Sequence, residues 1–365
     1  MPVTRSLATG LIVALALVLN GCGGSDSGDE SSAPAPDASS GPASPTDQPS
    51  SPSATESAAP ESPPQEQIRP VSVLGLDQQE HRGDRLRLGA VRERTADYTS
   101  YDVTYRSRST TPRGEESYRI SGVLNVPTGR GPFPAVVLAH GYIDPAVYER
   151  GQGMTRERGY LAARDYIALH VDYRNHAESD DDPQYQQRMR LGYSADVINA
   201  VKALRASDEV PVEDERIALF GRSMGGGVIL KALIAEPGLV QAAAPWASVS
   251  SLEGQNYNQF QRNDPSDSAL TSALIRRHGL PEDNPEFWRA NSSRPYFDRI
   301  TEPVLMVHGR FDDTCPPRWA TATQQALVRA GVDSRIQRYD DGHAFGPAFF
   351  AAMDRTIAFF DEELG

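Results

Sequence analysis

Apolar and polar positions divide the chain into three stretches. Residues 7–19 (LATGLIVALALVL) are almost continuously apolar, and residues 24–67 are Ser, Pro, Ala, Gly and acids with almost no large apolar side chain. From about residue 69, short apolar runs begin to punctuate the sequence. YTSYDVTYRSR (98–108) and YRISGVLNVP (118–127) are rich in β-branched and aromatic residues and flank a Pro-Arg-Gly turn, which predicts an antiparallel pair. Beyond them, AVVLAH (135–140), YIALHVDY (166–173), RIALFG (216–221), AAAPWAS (242–248) and VLMVHG (304–309) are short and nearly uninterrupted apolar runs, and the more polar SRIQRYD (334–340) is read as a strand with them. Such runs suit parallel strands covered on both faces.

Helix-period segments lie between the runs, at about 154–164, 185–206, 224–236, 317–330 and 344–363, and Pro237-Gly238 stops the third. Alternation of this kind predicts an α/β fold, a mostly parallel central sheet with helices on both faces. One connection departs from the rhythm. About fifty residues, 249–299, separate two predicted strands, where such loops usually hold about 2 to 6. We read 249–299 as a lid-like insertion at the carboxyl edge of the sheet.

The amino-terminal stretches add a location. Arg5, the apolar run and Leu19-Asn20-Gly21-Cys22 read as an export signal over residues 1–21. The run is too short for the roughly 20 residues that cross a bilayer. The tetrapeptide resembles a bacterial lipobox, which implies cleavage before Cys22 and acylation of its sulfur. Residues 22–67 would then be a lipidated cysteine and a disordered linker, with a root-mean-square reach of roughly 35 to 40 Å. Residues 68–365 are left as the folded domain, held at the outer face of a bacterial membrane.

Charge and cysteine content narrow the function. Of the formal charge of −13, residues 23–67 contribute −8 and Arg5 contributes +1, so −6 remains for the rest. That balance offers no basic footprint for nucleic acid. With Cys22 acylated, Cys315 is the remaining cysteine, so no internal disulfide is expected.

The chemistry centres on RIALFGRSMGGGVILKAL, in which a strand hands over to a helix through Gly221-Arg222-Ser223-Met224-Gly225. A phosphate loop would need G-x-x-x-x-G-K-[ST], and a dinucleotide site G-x-G-x-x-G; neither spacing is present. G-x-S-x-G between strand and helix is the nucleophile elbow, with Gly221 and Gly225 admitting close backbone and the Met224 amide placed to stabilise an oxyanion. Gly226 and Gly227 would let the helix pack tightly on the sheet.

A serine needs a base, and the base an orienting acid. Asp312 follows VLMVHG and His343 follows SRIQRYD, so the chain order Ser, Asp, His falls on three turns at one sheet edge. Asp313, Asp340 and Asp341 compete with Asp312 and read better as solvated carboxylates or caps. The loop HGYIDP after the first parallel strand puts the Tyr142 amide beside Ser223 as second oxyanion donor, with His140 ordering that loop. Trp246 and Tyr257 fall near the pocket edge with core packing as their default, the acidic run 178–182 reads as a solvated loop, and Cys315 as a buried inert thiol. No cofactor or metal site is expected.

Ser223, Asp312 and His343 with their surrounds resemble the α/β-hydrolase superfamily. Within it, NPEFWRANSSRPYFDRITEPVLMVHGRFDDTCPP (284–317) and GHAF resemble the catalytic domain of the prolyl oligopeptidase family, over about 115–362. The resemblance implies Ser223 as nucleophile, His343 as base then acid, Asp312 orienting His343, and the Met224 and Tyr142 amides as oxyanion hole. It also implies that Arg174 and His176 tie down the loop after the next strand. Met224 stands where an aromatic is usual, and the roughly fifty residues ahead of the core leave no room for the family's β-propeller of several blades of roughly 40 to 50 residues each.

The resulting expectation is a lipid-anchored serine hydrolase acting on a small carboxylic ester, with a short-peptide or amide substrate as runner-up and a non-catalytic surface binder as a third reading. The anchor has its own test: Cys22→Ser should move the protein from the membrane to the soluble fraction, and unchanged membrane retention refutes it.

Overall fold

The computed structural model describes residues 68–112, 114–264 and 268–365. The expected signal segment 1–21, Cys22 and the rest of the expected linker to residue 67 lie outside the described residues. In chain order the elements are α1 (Val73–Asp77), β1 (Glu80–Arg94), β2 (Tyr98–Thr111), β3 (Gly114–Pro127), β4 (Phe133–Ala139), α2 (Thr155–Ala162), β5 (Ile167–Val171), α3 (Leu191–Arg205), β6 (Val212–Arg222) and α4 (Met224–Ala235). They continue with β7 (Ala242–Trp246), α5 (Glu253–Phe260), α6 (Ser268–His278), α7 (Pro285–Asn291), a 3-10 turn (Arg294–Arg299), β8 (Val304–Gly309), α8 (Pro317–Arg329), β9 (Ser334–Tyr339) and α9 (Phe349–Leu364).

The strands form one sheet in the order β1-β2-β3-β5-β4-β6-β7-β8-β9. From β5 to β9 all neighbours are parallel, and β1, β2 and β3 extend the sheet as antiparallel partners. The continuous apolar runs are explained by the pleat, which sends successive side chains to opposite faces. In β4, Ala135, Val137 and Ala139 enter one core with α3 and α4, while Val136 and Leu138 enter the other with α2 and α9. β6 repeats the division, with Ile217 and Leu219 on the first face and Ala218 and Phe220 on the second. A polar residue at any of these positions would be buried, so alternation with polar residues is excluded.

Two local readings are corrected. The helical period from 185 does not begin a helix there: Met189 and Arg190 take φ of 54° and 55°, and α3 starts at Leu191. Left-handed backbone cannot continue a right-handed helix, and the break turns Met189 and Arg190 toward the cavity described below. The long edge strand β1 has no counterpart among the expected elements. Its burial alternates near its start and then gives way to exposed residues, which is how a strand with one face and one edge in water reads.

β1 is nevertheless docked closely. A β-carbon on Gly83 would lie 1.7 Å from the carbonyl oxygen of Asn199 in α3, and His81 on the same strand is buried between Ser109 Oγ and the Leu76 carbonyl, each 3.1 Å away. Gly83→Ala should therefore force β1 off α3 and destabilise the protein by about 1–3 kcal/mol in denaturant unfolding. Gly346→Ala, at a site with open space around it, should stay within about 0.5 kcal/mol. Equal midpoints for the two variants would refute this account.

Candidate active site

The parallel order reverses around β4, which has β5 on one side and β6 on the other. At such a point two connections leave the sheet in opposite directions and open a crevice at the carboxyl ends of the strands. β4 and β6 run in register, Ala139 opposite Gly221. The loop starting at His140 and the turn holding Ser223 therefore emerge side by side.

Ser223 has φ 56° and ψ −119°, between the end of β6 and the first residue of α4. A conformation of this kind costs on the order of 1–3 kcal/mol, and its surroundings hold it. The Ser223 amide donates to the Trp246 carbonyl at 2.9 Å, and the Ser223 carbonyl accepts from Gly226 at 3.0 Å and Val249 at 3.2 Å. A β-carbon on Gly225 would lie 1.9 Å from the Ala139 oxygen, and one on Gly221 would lie 2.3 Å from the Gly225 oxygen. Gly226 and Gly227 have a different neighbour from the one expected: Ser248 and Val249, in the loop after β7, approach them rather than the sheet. Arg222 braces the turn from behind, donating to buried Glu157 at 3.0 Å and to the Gly153 carbonyl at 2.9 Å.

Asp312 and His343 meet as their positions after β8 and β9 require. Gly309 and Tyr339, the last residues of those strands, are paired, and His343 Nδ1 lies 2.8 Å from Asp312 Oδ2. With the proton on Nδ1 the imidazole donates to the carboxylate, leaving Nε2 as the ring's acceptor. The Asp312 side chain is fully buried. Its Oδ1 accepts from the amides of Thr314 at 3.0 Å and Cys315 at 2.8 Å, so neighbouring backbone fixes the carboxylate plane. The competing acids lie elsewhere: Asp341 accepts from the Gly342 and Ala348 amides ahead of α9, and Asp340 pairs with Arg310 on the surface.

His308 was not among the expected site residues. It is buried, 3.3 Å from Asp312 Oδ2, and its Nε2 lies 2.8 Å from the Cys315 carbonyl. Burial lowers its pKa, which keeps a second positive charge away from Asp312. Cys315 is buried beside Ser223, and burial, reinforced by the charge of Asp312, pushes its thiol up to about 12. A thiol so protonated is a poor nucleophile.

The loop after β4 rests on a buried aromatic cluster. His140 is stacked with Tyr148, with ring centroids 4.7 Å apart, and Tyr173 donates from its hydroxyl to the His140 carbonyl at 3.1 Å. Its ring nitrogens face the carbonyls of Gly141 and Asp172. Asp172 is held by Ser121, Tyr148 and the Gly151 amide. Arg174 is tied to Asp196 through both its backbone and its guanidinium, and His176 faces the carbonyls of Arg174 and Ile143. Gly141 is thereby pressed on the nucleophile: a β-carbon there would lie 3.2 Å from Ser223 Cβ. Tyr142 follows, with its ring 4.8 Å beneath the Arg190 guanidinium.

Ser223, His343, Met224 and Tyr142 line one cavity of about 400 Å³. Its far wall comes from α5, with Tyr257 facing in, and from Leu274 of α6; both helices belong to the insertion 249–299. Trp246 is not at the pocket edge. It is wholly buried against Phe220 and Phe345 and donates to Thr356 Oγ1 at 3.1 Å. Lys231 and Glu253 line the cavity and were missed, because a lysine in an otherwise apolar helix carries no sign of what it faces. Among the described residues, no group of three or more His, Cys, Asp or Glu is arranged to hold a metal ion.

An open, mostly parallel sheet carrying a strand-turn-helix serine with a buried Asp-His pair at the same edge defines an α/β-hydrolase. The sequence profile of the Prolyl oligopeptidase family matches residues 153–365, and the chain belongs to that family. The chain is 29% identical over 197 residues to dipeptidyl peptidase 4 of Felis catus, covering 52% of this chain and 24% of that protein. It thus spans about a quarter of the length of that curated relative. Among solved structures, acetyl xylan esterase from Paenibacillus sp. R4 superposes with a TM-score of 0.57 at 22% identity, covering 80% of this chain and 92% of that one. An acylaminoacyl peptidase of Pyrococcus horikoshii superposes with a TM-score of 0.54 at 17% identity, covering 74% and 48%.

The buried histidines predict an acid limit to stability. Burial, then the nearby His176, pushes His140 down to about 3, and burial pushes His81 down to about 4. Below about 6.5 the unfolded chain binds protons that the folded chain refuses, so stability falls with falling pH by about 1.4 kcal/mol per unit for each histidine. Denaturant unfolding should show this loss between pH 7 and pH 5, with a shallower slope in His81→Gln. A flat profile would refute it.

Proposed function

We propose that this protein is a serine hydrolase that cleaves neutral carboxylic esters through an acyl-enzyme. In this reading Ser223 attacks the ester carbonyl while His343 takes the hydroxyl proton and then delivers it to the departing alkoxide. The acyl-enzyme is cleaved in turn by a water that His343 deprotonates. Asp312 keeps the imidazole in the Nδ1–H tautomer and stabilises the imidazolium, and the amides of Met224 and Tyr142 take the oxyanion.

The observation that carries the ester reading is the electrostatics of the cavity. A peptidase that reads a free amino terminus needs a carboxylate to receive it; two carboxylates line this cavity, Asp264 at its exposed side and Glu253 deeper in, and the deeper one is already held by Lys231 at 2.6 Å. An uncharged ester displaces no such partner. Peptide hydrolysis is the second reading, favoured by the family and by relatives such as dipeptidyl peptidase 4.

A fluorophosphonate should label the wild type at Ser223 and leave Ser223→Ala unlabelled. His343→Ala should lower kcat/KM on p-nitrophenyl butyrate by about a hundredfold to ten-thousandfold. Undiminished labelling of Ser223→Ala would refute the nucleophile. Faster turnover of aminoacyl amides than of esters of similar size would replace the ester reading with the peptidase one.

A further inference from the structure

We propose that Lys231 and Glu253 are specificity-determining residues that receive a neutral, hydroxyl-bearing part of the substrate. This rests on the ester reading above and deepens it. Met224, Gly227, Val228 and Lys231 all line the cavity, and their spacing of three, four and seven residues puts them on one face of α4. The nucleophile helix is thus the floor of the cavity. Lys231 is seated two turns beyond Met224, about 10.5 Å along the helix axis.

The pair at that end is almost enclosed, with 11% of the Lys231 side chain and 16% of the Glu253 side chain exposed. Glu253 is the ammonium's hydrogen-bond partner among the described residues, so two of its three N–H donors remain for other acceptors. Glu253 Oε2 accepts from Asn256 at 3.3 Å and retains lone-pair capacity beside the ammonium.

Stability does not call for such a pair, since apolar side chains of similar volume usually replace a buried ion pair without loss. As a recognition element it has a definite preference. A hydroxyl can accept from the ammonium and donate to the carboxylate at once. An alkyl end would cover both charges and return no hydrogen bond, at the cost of leaving polar groups unsatisfied. A carboxylate would face Glu253 and an ammonium would face Lys231, so each charged end meets one like charge.

The test uses two ester series, so that either half of the ester may occupy the cavity. One is p-nitrophenyl esters with ω-hydroxyacyl chains of butyrate to octanoate length, and the other is acetates of diols of matching length. Each member is compared with its alkyl, carboxylate-ended and amine-ended counterparts. In at least one series the wild type should favour the hydroxyl over the alkyl end by about tenfold or more in kcat/KM. That ratio should collapse toward unity in Lys231→Met/Glu253→Met and persist in the swapped pair Lys231→Glu/Glu253→Lys, which keeps a donor beside an acceptor. A ratio equal in wild type and the Met pair, or a charged end preferred over the hydroxyl, overturns the inference while leaving the esterase standing. Hydrolysis that survives Ser223→Ala in both series counts against the esterase reading itself.

Discussion

The carbonyl oxygen of Ala139 occupies the space that a β-carbon on residue 225 would need, and most of the site follows from that approach. It brings the end of β4 against the first turn of α4, so the chain between β6 and α4 must turn sharply, and Ser223 takes positive φ at the apex. Because β4 and β6 are neighbours in register, the same approach delivers the loop at Gly141 to the side of the serine. A nucleophile and the backbone that flanks it are thus consequences of one close approach between a strand end and a helix start.

Around that turn the protein spends polar interactions on rigidity. Both oxygens of Asp312 are engaged, by two amides on one side and by His343 on the other. The loop after β4 is held by an aromatic stack and by carbonyl contacts of His140, and Arg222 ties the elbow to α2 through a buried glutamate. Unsatisfied polar atoms in such surroundings would be costly, and groups locked by hydrogen bonds need little reorganisation when charge develops. The thiol beside the serine is removed from competition by the same burial.

The insertion after β7 has the opposite character. It contributes α5 and α6, whose side chains complete the cavity, and at the cavity it meets the nucleophile helix through the Lys231–Glu253 ion pair. The scaffold for bond cleavage therefore belongs to the parallel sheet, and the shape and polarity offered to a substrate belong to this segment.

What could be read from the chain alone was whatever the pleat and the chain order dictate. Five apolar runs had to be strands because both of their faces are covered, whereas β9, at the sheet edge, is only half-buried; Ser223, Asp312 and His343 had to share an edge because each follows a parallel strand. The G-x-S-x-G spacing sufficed for the elbow because its steric requirement is local. Other features depended on partners distant in sequence. The position of β1 was set by its packing on α3 and the burial of Trp246 by α9 behind it. Lys231 beside Glu253 was decided in the same way, and His308 reaches Asp312 only because the chain turns back after β8. The start of α3, by contrast, was set by a local backbone turn, positive φ at Met189 and Arg190, that no residue pattern announces. A strand or an elbow is specified by residues a few positions apart, whereas the charge, depth and lining of a cavity arise where elements far apart in sequence meet, and only the tertiary structure could supply those.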